Sequence, residues 1–164
     1  MKLACYREFY DKLLRKGFIA MRITVTNEQN FLPIEEKKIY ESIRLLPGSD
    51  KKYRLSVVYV DDKEITKMNE RYLKHEGPTD VLAFPINPKE GEIVVSAETA
   101  LREAQERGIE SEGELLLYTL HGTLHLLGYD DKSPEEFEKM HAIEKQILTQ
   151  LGYKWSWDEE FSEE

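Results

Sequence analysis

His121 and His125 stand four residues apart in the leucine-rich stretch ELLLYTLHGTLHLLG, and Asp131 follows six residues later. On a helix, positions i and i+4 share one face, with Cβ atoms about 5–6 Å apart. The two imidazoles can therefore aim at one point. Gly128 allows the chain to leave the helix through a left-handed conformation, so that a short loop returns Asp131 to the same place. Two imidazoles and one carboxylate, with a fourth position open, form a ligand set of the catalytic zinc type. Zinc held in this way lowers the pKa of its water to about 7, which makes a nucleophile available at neutral pH. The competing reading is a buried helix that carries two satisfied histidines and ends in an acidic turn. Imidazoles buried among leucines without partners are costly, and this favours the metal.

The spacing matches the ligand offsets of His-Glu-x-x-His-x-x-Gly-x-x-His proteases, in which the glutamate is the general base for peptide hydrolysis. Here Gly122 fills the glutamate position. The pattern therefore keeps the metal geometry and lacks the proteolytic base, which points to a hydrolase of another substrate.

Several elements must position these residues. Leu3, Tyr6, Phe9, Tyr10, Leu13 and Leu14 have helical spacing over 3–16. MRITVTN, from Met21, alternates as a strand. Pro33 opens a helix over 34–46 that Pro47-Gly48 closes. YRLSVVYV, 53–60, reads as a central strand. Asp61 caps a helix over 62–74, with Glu64 placed for a capping box. TDVLAFP is a strand that Pro85 stops, and GEIVVSA is another. A helix over 97–107 ends at Gly108. Ser111 and Glu114 open the helix that carries the histidines, and Ser133-Pro134 starts a last helix to about Leu151. Early strands and later helices predict an α+β fold, a single domain with a small mixed β-sheet covered by about five or six helices.

The 164 residues suit one compact domain. No apolar run reaches the length of a membrane span. Cys5 is the single cysteine, which excludes an internal disulfide framework and a cysteine-based zinc site, and fits a reducing cytoplasm. The net charge of −9 argues against broad nonspecific nucleic-acid binding. The charge is uneven: residues 158–164 carry five acids and no base, whereas 1–20 carry five Lys/Arg and two Asp/Glu. The expected division is an N-terminal helical extension over 1–20, a catalytic domain over 21–153 and an acidic tail over 154–164. The extension is an amphipathic cover for the core or, being basic, a contact for a partner.

HGTLHLLGYDD, 121–131, resembles the signature of the YbeY family of bacterial metallo-endoribonucleases. So do PTDVLAFP, 78–85, the GEIVVS strand, 91–96, and Met140, Glu144, Ile147 and Leu148 in the last helix. The resemblance spans about 21–153. It implies a zincin-like fold and one Zn²⁺ held by His121, His125 and Asp131, with no small-molecule cofactor. It also implies cleavage of single-stranded RNA, in maturation of the small-subunit (16S) ribosomal RNA 3′ end and in ribosome quality control. The implied partners are ribosomal RNA and the ribosome or its small-subunit proteins, in the cytoplasm. Two rival readings stand: a ribosome-associated metal-binding factor without nuclease activity, and a metal-dependent hydrolase of another substrate.

Two positions depart from the family pattern. The third ligand there is usually histidine, and this chain has Asp131. A carboxylate lowers the net charge of the site and shifts metal preference towards harder ions. An arginine is also expected after the tyrosine of Asn-x-x-Tyr-Arg, and here Asn69-Glu-Arg-Tyr72 precedes Leu73. Arg71 is the candidate substitute at the phosphate, with Lys74 a second; the alternative for Arg71 is a solvated helix-face charge. Asp130 matches the family's aspartate, either orienting a ligand histidine or standing as a solvated turn acid. Thr79 and Asp80 line a substrate cleft or serve turn chemistry. Ser96 contacts substrate or caps the next helix. His75 is read as an exposed loop residue and His141 as structural, since the resemblance calls for no histidine there.

Overall fold

A computed structural model describes residues 21–155. The helix expected over 3–16 and the acidic segment 158–164 lie outside the described residues. Among the latter, four strands form one mixed sheet in the order β1-β2-β4-β3. They are β1 (Met21–Asn27), β2 (Tyr53–Val60), β3 (Val81–Asn87) and β4 (Glu90–Ser96). β1, β2 and β4 run parallel, with Met21 opposite Tyr53 and Arg54 opposite Glu90. β3 pairs antiparallel with β4, Val81 facing Val95, and forms one edge. Five α-helices accompany the sheet: α1 (Glu36–Arg44), α2 (Asp62–Met68), α3 (Ala97–Arg107), α4 (Ser111–Leu126) and α5 (Pro134–Gln150). The α+β class and the covered mixed sheet are as the sequence predicts.

Strand alternation divides the interior in two. Leu55, Val57, Tyr59, Ile93 and Val95 join the larger core with Leu115, Leu116, Leu120 and Leu124 of α4. Val60, Val94 and Leu82 point the other way and meet Ile65 of α2. α4 is thus the central helix, apolar almost all round, and the Tyr59 hydroxyl bonds Thr119 Oγ1 at 2.8 Å within it. Burial of this helix fixes where its last two turns, and hence the histidines, emerge.

Two local expectations are corrected. Pro85 does not stop its strand. It lies inside β3, where an edge position leaves its missing N–H unneeded, and a register irregularity falls between Pro85 and Asn87. The helix over 62–74 is not uniform: α2 ends at Met68, and Asn69–Leu73 continues as a π-helical segment before Lys74, at φ 55°. By contrast, α4 opens at Ser111, with Glu114 in its first turn, as expected. Glu110 occupies the cap position without a side-chain bond, and the buried Glu114 turns to Arg107, 3.5 Å away. Ser133 and Glu136 form the full capping box that starts α5.

Candidate metal centre

α4 ends in a Schellman motif. Gly128, at φ 99°, donates its N–H to the His125 carbonyl at 3.1 Å, and Tyr129 donates to the Leu124 carbonyl at 3.0 Å. This turn carries the chain back across the exposed side of the helix end and brings Asp131 to the two histidines. His121 Nε2 and His125 Nε2 lie 3.1 Å apart, and Asp131 Oδ2 lies 3.5 and 3.6 Å from them. All three residues are partly buried.

The other ring nitrogens decide what this triangle is. His125 Nδ1 lies 3.1 Å from the Tyr129 carbonyl, which can only accept, so Nδ1 carries the proton. His121 Nδ1 lies 2.8 Å from Glu144 Oε1, and an ionised carboxylate likewise accepts. In the neutral imidazoles both Nε2 atoms then present lone pairs. Three acceptors converge on one point with no donor between them. Ligand atoms about 2.0–2.1 Å from a tetrahedral zinc lie roughly 3.3 Å from one another. The triangle therefore has both the size and the chemistry of a site for a divalent cation, and the residues present fit the metal.

Glu144 is among the residues that carry the family resemblance, but the sequence motif assigns it no role at the cluster. It sits on the buried face of α5 between Met140, Ile147 and Leu148, and is itself 0% exposed. A charged residue in an apolar helical stripe is the signal that could have singled it out. Burial pushes the His121 imidazole down. The Glu144 hydrogen bond and charge, with the charges of Asp80 and Asp131, outweigh this and hold it above the usual histidine range.

The remaining sequence-predicted residues divide. Asp80 is brought near the cluster, since its charge acts on His121. Its Oδ1 accepts from the Val81 N–H at 2.7 Å and from Thr79 Oγ1 at 3.3 Å, so Thr79 and Asp80 form one turn at the start of β3. Glu144 and the Tyr129 carbonyl, rather than Asp130, are the hydrogen-bond partners of His121 Nδ1 and His125 Nδ1. Asp130 Oδ1 instead accepts from the Asp131 N–H at 2.8 Å and so braces the backbone of the third acceptor. Ser96 is not a substrate contact. It is fully buried, caps α3 by accepting from the Thr99 N–H at 3.1 Å, and donates to Asp62 Oδ1 at 2.7 Å. Arg71 is exposed, 5.4 Å from the Tyr72 ring centroid, and no hydrogen bond or ion pair joins it to the histidines. His75 is exposed, in the loop that Asn69 holds through Nδ2 to the Gly77 carbonyl at 3.0 Å.

Gly122 has a packing reason. A Cβ there would lie 2.7 Å from Val81 Cγ2 and 3.1 Å from Ile93 Cγ2. Such contacts force a shift of the sheet against α4. The position that holds a glutamate in the proteases is here closed by β3 and β4.

Comparison with known proteins agrees with this geometry. A Myxococcus xanthus protein named Endoribonuclease YbeY is 40% identical over 107 residues, covering 60% of this chain and 36% of its own length. A Nocardioides protein of the same name is 33% identical over 144 residues, covering 78% of this chain and 96% of its own length. A Thermotoga maritima protein solved in solution superposes with a TM-score of 0.58 at 27% identity, covering 87% of this chain and 96% of that one. The family model described as Endoribonuclease YbeY matches residues 24–152, a span of about four-fifths of the sequence within which the cluster lies, and the chain belongs to that family.

Proposed function

We propose that this protein is a zinc-dependent endoribonuclease of single-stranded RNA, acting in the cytoplasm on the 3′ end of the small-subunit ribosomal RNA and in ribosome quality control. The catalytic unit spans 21–153. The observation that carries this reading is the convergence of His121 Nε2, His125 Nε2 and Asp131 Oδ2 within 3.6 Å of one another. These three residues would hold the ion. Two nitrogen donors suit zinc, and the carboxylate widens the choice towards harder ions such as manganese. When bound, such an ion supplies Lewis acidity at a phosphate oxygen and a nucleophile at neutral pH.

The protein's own groups do the rest. Glu144 and the Tyr129 carbonyl keep both Nδ1 atoms protonated and both Nε2 atoms available. Asp130 fixes the Asp131 backbone. Thr79 and Asp80 form the lip of the site, where a ribose or phosphate would pass. Arg71, with Lys74 beside it, supplies positive charge at the π-helical segment, where Leu73 replaces the arginine that the family pattern calls for. Gly122 leaves no base in the protease position, which speaks against a peptidase.

The test is cleavage of a labelled single-stranded RNA by the wild type and by His121→Ala purified in parallel, with and without added zinc after chelation. Cleavage by the wild type alone, restored by zinc, supports the proposal. Equal cleavage by both proteins, or none by either, sinks it and favours the rival supported by Leu73: a ribosome-associated metal-binding factor without nuclease activity. No described helix is long and apolar enough to cross a membrane.

A further inference from the structure

α5 buries one carboxylate between two histidines. Glu144 Oε1 accepts from His121 Nδ1 at 2.8 Å, and its Oε2 lies 3.5 Å from His141 Nδ1, one turn earlier on the same helix. Glu144 is wholly buried. An ionised carboxylate without compensation is not stable in such a place. Oε1 is compensated by His121, whereas Oε2 makes no hydrogen bond and has His141 Nδ1 3.5 Å away. His141 is in turn held by aromatic rings, its centroid 4.0 Å from that of Phe137 and 5.7 Å from that of Trp155. The ring packing fixes the imidazole, the imidazole faces one oxygen of Glu144, and the other oxygen sets the tautomer of His121.

We propose that His141 is a positioning residue of the metal centre, acting through Glu144: it holds the carboxylate in place, so that Glu144 orients His121 with its Nε2 towards the cation. This rests on the metal-binding reading of the cluster. It assigns a role to a histidine that otherwise reads as structural packing. The packing role and the positioning role make opposite demands on a substitute. His141→Phe keeps a ring between Phe137 and Trp155 and removes the N–H. His141→Asn loses the ring and keeps an N–H donor close to the place of Nδ1.

The experiment measures zinc and cobalt(II) affinity of the full chain by competition with a chromophoric chelator, for the wild type, His141→Phe, His141→Asn and Glu144→Gln. Melting in chelator and the visible cobalt spectrum are recorded alongside. Removing a carboxylate that orients a ligand histidine costs about 10–100-fold in metal affinity. Glu144→Gln is expected within that range and His141→Phe near its lower end, about tenfold, each with an altered cobalt band; His141→Asn is expected within about twofold of the wild type. Affinity that follows the ring, with His141→Phe tight and His141→Asn weak, overturns the inference, as does equal affinity or equal loss in both. If one of the two variants does not fold, the affinity of the other decides: a tight His141→Phe overturns the proposal, and a tight His141→Asn supports it. A wild type that binds neither metal overturns both this inference and the metal reading, whereas failure confined to the variants leaves the metal reading standing.

Discussion

Two polar clusters stand in this fold, and they differ in how their hydrogen bonds close. At the junction of α2 and α3, Asp62 Oδ1 accepts from Ser96 Oγ at 2.7 Å and from Thr99 Oγ1 at 2.6 Å. Its Oδ2 accepts from Arg102 Nη1 at 2.7 Å, while Arg102 Nη2 reaches Thr99 Oγ1 at 3.1 Å. Each oxygen of that carboxylate has its donor, and the result is a clamp between two helix starts. At the end of α4, Glu144 and the Tyr129 carbonyl have consumed the donors of both histidines, and three acceptors are left facing one another. A polar group that is satisfied locally stabilises a fold. Acceptors converging without a donor ask for a cation from outside. A carboxylate thus anchors a closed clamp in one place and stands in an open cluster that could hold a metal ion in the other.

The largest effect should come from the unfinished cluster. His125→Ala removes one of two nitrogen donors. Loss of an orienting partner alone costs about 10–100-fold in metal affinity, so loss of a ligand should exceed roughly a hundredfold, with RNA cleavage falling in parallel. Its melting temperature in chelator should stay close to that of the wild type, because the side chain is partly exposed and the helix end is held by Gly128 and Tyr129. Metal titration beside a melt in chelator separates the two; a large drop in both would make this cluster structural like the other.

Asp62→Ala should do the reverse. It removes three hydrogen bonds, one of them to a guanidinium, and orphans the buried Ser96 hydroxyl. Hydrogen bonds to charged groups contribute about 1.5–3 kcal/mol each at most. A loss of about 2–3 kcal/mol is expected, or roughly 5–10 °C in melting temperature for a domain of this size. Metal affinity and cleavage per folded molecule should not change. A metal-affinity loss here, measured on fully folded protein, would mean that the two clusters are coupled.

The contrast also separates what was legible in the sequence from what was not. His121, His125 and Asp131 were legible because helical periodicity and a glycine stop are local rules, and both hold. The strands and the α+β class were legible for the same reason. Glu144 was not reachable from the motif, because it arrives from another helix 23 residues away from His121. The choice between its role and that of Asp130 depends on how α5 docks against α4. Ser96 illustrates the converse: a serine before a helix is ambiguous between cap and contact until Asp62, 34 residues earlier, is seen to take its proton. The π-helical segment at Asn69–Leu73 was hidden because helical periodicity continues through it; Asn69, buried and tied to Gly77, fixes it by a contact that spacing does not show.

A smaller effect is expected at Gly122→Ala, between the helix and the sheet. The new methyl group would press on Val81 and Ile93. Overpacking costs about 1–3 kcal/mol, and the better helix propensity of alanine returns about 1 kcal/mol of it. A net loss of up to about 2 kcal/mol by chemical denaturation, with a modest fall in metal affinity as α4 shifts against β3, is the expected result. Gly122→Glu should be less stable still and should gain no peptide cleavage; a stable, peptide-cleaving variant would break the argument that packing excludes a base from this position.

The smallest effect, and the sharpest test of the contrast, lies in pH. Burial alone pushes the Asp62 carboxyl up, but the Thr99, Arg102 and Ser96 hydrogen bonds outweigh it and hold the group below the usual carboxylate range. A depressed carboxyl contributes stability above its unfolded value, near 3.8, and loses it as the pH falls through the folded value. His121 runs the other way. Its folded value is raised, so in metal-free protein its contribution is full below the ordinary 6.5 and is lost as the pH rises through the folded value. The stability gap between the wild type and Asp62→Asn should therefore be flat at neutral pH and close only on the acid side. The gap between the wild type and His121→Ala, both in chelator, should be widest in mild acid and close above neutrality. Saturating zinc should invert the second profile, because the ion competes with a proton for Nε2 and wins as the pH rises. Denaturation curves from about pH 3 to pH 9 with and without zinc read both gaps, and a His121 profile that zinc leaves unchanged would mean that the three acceptors do not take up the ion.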